Sequence, residues 1–187
     1  MVVALVAAPL AACGSSGGSA ADRVSGGTSP KAYVNAVCTA IASAGKQIQA
    51  AEQHFQSTIR GDEKKGLDAI KRDSIRYFDK VSAKVDAMKN GIERAGTPDV
   101  PGGASVRGSL LGALTQAADT MHAVQADVRS VSTGNAHRFL TKVQNAVSQA
   151  RSALSKVGQA FQAVKNQDLL EAARNDSTCQ ALASGTS

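Results

Sequence analysis

Residues 140–164 read LTKVQNAVSQARSALSKVGQAFQAV, and the placing of their apolar residues decides the fold. Leu140, Val143, Val147, Ala150, Leu154, Val157, Phe161 and Val164 follow one another at spacings of three and four. That repeat draws one stripe along an α-helix, whereas a strand would alternate every second residue. Three further stripes precede it. Val34, Val37, Ile41, Ala44, Ile48, Ala51 and Phe55 form the first. Leu67, Ile70, Ser74, Tyr77, Val81, Val85, Met88, Ile92 and Ala95 form the second, widened by Phe78. Val106, Leu110, Leu114, Ala117, Met121, Val124, Val128 and Val131 form the third.

The breaks between stripes carry turn and cap chemistry. Ser29-Pro30 places a capping hydroxyl before a proline suited to the first helical position. Gly61, Gly96-Thr97-Pro98 with the loop at 99–103, and Gly134-Asn135 interrupt the helical pattern. Asp168 is placed to cap a short last helix from Leu169 to about Arg174, leading to Cys179. Strand signals are missing: there is no Trp and no β-branched run of period two. The expected fold is all-α, an antiparallel up-down four-helix bundle with a short C-terminal helix. Alanine at many core positions makes such a core thin.

Ahead of the first stripe the composition changes. Val2 to Leu10 is a short apolar run, in the size range of a secretory h-region and far below the ~20 residues of a membrane span. No Lys or Arg precedes it, a gap that a start upstream of Met1 would explain. Leu10-Ala11-Ala12-Cys13 follows, and then Gly14-Ser15-Ser16-Gly17-Gly18-Ser19. These residues resemble a bacterial lipobox and its tether. The resemblance implies that residues 1–12 are a signal peptide and that Cys13 becomes the palmitate-bearing first residue of an exported lipoprotein. Its location would be the extracytoplasmic face of the cell membrane. Two acyl chains suffice for stable anchoring where one is marginal. The rival is an apolar tail with Cys13 as a free thiol. Residues 13–28 then read as lipidated cysteine plus flexible spacer, and residues 29–187 as one bundle domain.

With Cys13 set aside, Cys38 and Cys179 remain, and in an exported domain they read as one disulfide. Two unrelated buried thiols are the alternative. Helix four of an up-down bundle returns to the end where helix one begins, so the topology brings the pair together. Taken as a whole, the chain is similar in style to small uncharacterised helical lipoproteins of high-GC Gram-positive bacteria. That likeness supplies no active-site residues.

Chemistry-bearing patterns are sparse. No glutamate is followed by histidine three residues on, so the di-iron bundle signature is missing. His54, His122 and His137 sit beside core positions at the end away from the tether, where solvated histidines are ordinary. The one Gly-x-Ser-x-Gly match, Gly14 to Gly18, lies in the Gly/Ser tether, and neither it nor the other Gly-rich stretch at 102–103 follows a strand, so neither an elbow nor a phosphate loop is indicated. The expectation is a protein without enzymatic activity, cofactor or metal.

The formal net charge is +6. Helix two is dense in both signs. Helix four has no acid from Asn135 to Gln167, and Arg138, Lys142 and Lys156 share one side of it. Those three form the expected anion-contacting set, for an anionic envelope polymer or lipid surface. The exported address and scarce aromatics argue against nucleic acid as a partner. The function that follows is a lipid-anchored interaction module of the envelope. The alternative is an extracytoplasmic carrier with an apolar ligand or lipid inside the bundle.

Overall fold

The computed structural model describes residues 26–62 and 66–184. It contains α1 (Pro30–Asp62), α2 (Leu67–Ala95), α3 (Gly103–Ser130), α4 (Ala136–Gln162), α5 (Gln167–Arg174) and α6 (Ser177–Ala183). The four long helices alternate in direction, so α1 packs on α2, α2 on α3 and α3 on α4. The bundle therefore has a proximal end, where α1 and α3 start, and a distal end, where α2 and α4 start.

Side-chain caps start the last three helices. Asn135 caps α4 by accepting from the Arg138 amide, and Asn166 caps α5 by accepting from the Leu169 amide. The expected cap at Asp168 thus falls two residues earlier, on Asn166, and Asp168 sits in the first turn, where its charge suits the helix dipole. Asp176 then caps a further helix, α6, that the periodicity did not reveal. Seven residues are too few to show a stripe. At the end of α2, Gly96 adopts φ 79°, a conformation that L side chains rarely take.

The proximal end is hooked shut by the segment before α1. The Thr28 amide donates to the Thr97 carbonyl at 2.8 Å, and the Asp99 amide donates to the Thr28 carbonyl at 2.8 Å. The Thr28 hydroxyl donates to the Ala95 carbonyl at 2.7 Å, occupying an end-of-helix acceptor. Thr28, which the sequence assigned to the spacer, is thus bonded to the bundle.

The core runs through all four long helices, with Phe78, Val81, Val85, Ile92, Leu114 and Met121 at 0% exposure. A smaller apolar cluster of Ile70, Phe139 and Val143 plugs the distal end. In α4 the buried positions are Phe139, Val143, Ala146, Ala150, Ala153 and Val157. This corrects the stripe read from sequence. Phe139 is fully buried while Leu140 is 41% exposed. The alanines at 146 and 153 face inward, and Val147, Leu154 and Phe161 lie at the margin of the core. Size misled the reading: alanine lets neighbouring helices approach, so it takes the centre of the contact.

The seams differ accordingly. At the α1–α2 contact a Cβ on Gly91 would lie 2.6 Å from the Ala40 Cβ, so only glycine admits that spacing. The α1–α4 backbones approach least. That seam is spanned by the Glu52–Arg151 ion pair at 2.8 Å. Its proximal stretch is flanked by α5 and α6, which pack on α1 and on each other. No helix among the described residues is long and apolar enough to cross a membrane.

Candidate functional site

Cys38 and Cys179 are joined, with Cα atoms 5.3 Å apart across a sequence separation of 141. Cys38 comes from the third turn of α1 and Cys179 from α6, so the bridge straps the C-terminal helices onto the first. Asp176 reinforces it. Its Oδ1 accepts from the Thr178 and Cys179 amides at 2.9 and 3.0 Å, and its Oδ2 accepts from the Asn35 amide group at 2.9 Å. The Asn35 bond, with the two backbone bonds, holds the Asp176 carboxyl below its ordinary value of 3.8. Hydrogen bonds of this kind favour the ionised form. Cys13 lies outside the described residues.

The basic candidates on α4 are exposed and do not form one site. Arg138 and Lys142 lie near its distal start, and Lys156 lies more than three turns further on. Lys156 lines an outer groove of about 430 Å³ between α3 and α4, shared with Asp119, Thr120 and Gln149. That groove therefore carries both signs of charge.

A second outer groove, about 460 Å³, runs between α1 and α2. Thr39, Ser43 and Gln47 line it from α1, and Lys84, Gly91 and Arg94 from α2. No carboxylate lines it. Sequence reading passed over it because its floor is alanine and glycine, residues that give no signal on their own.

The histidines have separate surroundings. His54 contacts Thr58 within its own helix, and His137 is exposed in the first turn of α4. His122 Nδ1 lies 3.3 Å from the Ser82 hydroxyl, and its Nε2 lies 3.8 Å from an Asp86 carboxylate oxygen. Serine, histidine and aspartate in that order suggest a nucleophilic relay, but the backbone here does not supply one. Ser82 is 4% exposed and sits inside α2, where helical bonds occupy the amides that an oxyanion would need. The trio acts as a clasp between α2 and α3. Among the described residues no group of three His, Cys, Asp or Glu side chains is arranged to hold a metal ion.

Both tyrosines are buried. Burial pushes the Tyr77 hydroxyl up to about 12, with Glu52 adding to the rise and Arg151 opposing it. The Tyr77 ring stacks on Phe55 with centroids 4.5 Å apart. Burial also raises Tyr33, and Arg107 opposes that rise. Both rings belong to the core and are not available for stacking on a sugar.

Compared with known proteins, the chain matches no family model, and no curated protein or solved structure shows significant similarity to it.

Proposed function

We propose that the chain is a non-enzymatic, lipid-anchored helical module of the cell envelope. In this reading Cys13 carries the lipid and holds the protein at the extracytoplasmic face of the cell membrane. The bundle works by contact with a partner there. The observation that supports it best is the Cys38–Cys179 bridge, which joins the two ends of the domain. Structural disulfides belong to oxidising compartments, the address that Leu10-Ala11-Ala12-Cys13 implies. The two outer grooves offer surfaces on which a partner could lie.

Labelling with radioactive palmitate in a bacterial host, followed by detergent phase partition, tests the anchor. The full chain should take up label and enter the detergent phase, and Cys13→Ser should abolish both. Label retained by Cys13→Ser, or an unlabelled parent chain in the aqueous phase, would overturn the reading.

A further inference from the structure

We infer that the outer α1–α2 groove receives an acidic amphipathic helix from a partner protein. This deepens the reading of the chain as an interaction module and rests on it. Helix α2 sorts its charges onto two flanks. Asp79, Asp86 and Glu93 recur every seven residues and occupy one flank. That flank meets its counter-charges. Asp79 accepts from Gln125 and pairs with Arg129 at 2.9 Å, and Asp86 faces His122, all on α3. Glu93 pairs with Lys89 of its own helix.

On the side toward α1, α2 contributes Lys84 and Arg94 to the groove. There the facing residues are Thr39, Ser43 and Gln47, which bear no charge. Neither Lys84 nor Arg94 forms an ion pair among the described residues. Asp176, which meets the groove residue Asn35, is committed to that bond and to the start of α6. One flank of α2 is thus electrostatically matched within the molecule, and the other is not. The α3–α4 groove, of similar volume, is matched by Asp119 and Lys156.

The shape of the groove selects the kind of anion. Ten residues separate Lys84 from Arg94, so the two cations stand about 15 Å apart along the axis. Between them lies a floor of alanine methyls and Gly91. A purely hydrophilic polyanion would leave that floor unused. An extended peptide would need backbone partners, and the groove offers only side-chain hydroxyls and amides. A helix satisfies its own backbone and can lie close against small residues. Two carboxylates eleven positions apart share one helix face at about 16 Å, a span that reaches both cations.

The test is fluorescence anisotropy of the full chain with a dye-labelled synthetic helix, rich in alanine and leucine, bearing two glutamates eleven positions apart. Saturable binding is expected. Reversing Lys84→Glu with Arg94→Glu should weaken it by about tenfold or more, while Arg138→Glu with Lys142→Glu on α4 leaves it unchanged. A peptide with lysines in place of the glutamates should bind the reversed chain better than the parent. Circular dichroism checks that each variant folds, and Lys84→Gln with Arg94→Gln replaces the reversal if that chain does not. Equal binding by the groove and α4 variants, or no saturable binding, overturns the inference. So does loss of affinity for phosphatidylglycerol vesicles in the groove variant without any binding of the peptide, which would assign the groove to a membrane surface. Palmitate uptake at Cys13 is read separately, so failure of the groove and failure of the anchor remain distinct.

Discussion

The two ends of the bundle are closed by different physics. At the proximal end a covalent bridge, a capping carboxylate and the Thr28 hook hold three segments distant in sequence. At the distal end the work falls to one fully buried ring, Phe139, packed with Ile70 and Val143. Polar ties also help there: the Thr133 hydroxyl donates to Asp68 at 2.6 Å, and the Lys71 ammonium donates to the Val131 carbonyl at 2.7 Å. The difference follows from connectivity. Distally, only four residues separate α1 from α2 in sequence and five separate α3 from α4. Proximally, the chain after α4 must be tied back onto α1.

The largest effect should come from cutting the bridge. Cys38→Ser opens a loop whose closure, by the chain-entropy argument, is worth about 5 kcal/mol. The expected result is a large drop in melting temperature, and an unchanged one would show that the proximal end is held by packing alone. Phe139→Ala attacks the other end and should cost about 3–5 kcal/mol in chemical denaturation. Because the two sites share no partner, the double variant should lose the sum of the two within about 0.5 kcal/mol. A shortfall larger than that would mean the ends are coupled through the core.

Smaller changes refine the proximal end. Gly91→Ala forces a methyl against Ala40 and should destabilise the chain by about 1–3 kcal/mol, read by urea titration. A stabilised variant would show that the α1–α2 seam can widen at no cost. Asp176→Ala removes a helix cap, for about 1 kcal/mol. Asp176 also sets a pH dependence. Its folded value is depressed, so its contribution is complete above the unfolded value of 3.8 and is lost as the pH falls below it. Acid unfolding of Asp176→Asn should therefore show a shallower loss of stability below pH 4 than the parent.

The smallest signal compares the interiors of the two halves. Tyr33 lies proximally, Tyr77 nearer the distal end, and the chain has no Trp, so phenolate absorbance reports these two groups alone. Both are raised, Tyr77 to about 12. A raised folded value means stability complete below pH 10 and lost as the pH climbs through the folded value. The folded chain should show less phenolate at pH 10 than the chain unfolded in urea, with Tyr77 un-ionised. Ordinary titration in the folded state would mean that the rings are open to water.

The helical class and the four long elements were legible because amphipathic periodicity survives over 27 or more residues. The disulfide was legible from the count of cysteines and the direction of the helices. Three things were not. The inward side of α4 was misjudged, since Ala146 and Ala153 are buried because the neighbouring helix comes close. Helix α6 was missed, being only seven residues long. The α1–α2 groove was invisible because alanine and glycine acquire meaning only opposite other small residues.

Sequence alone therefore determined the helical class, the four long helices with their order, and the cysteines that form the bridge, because these follow from periodicity within each segment and from a count of residues. Tertiary structure decided which seams close tightly, which charges find partners and where an unmatched groove remains. Those depend on what stands across from each residue, and a linear pattern does not carry that.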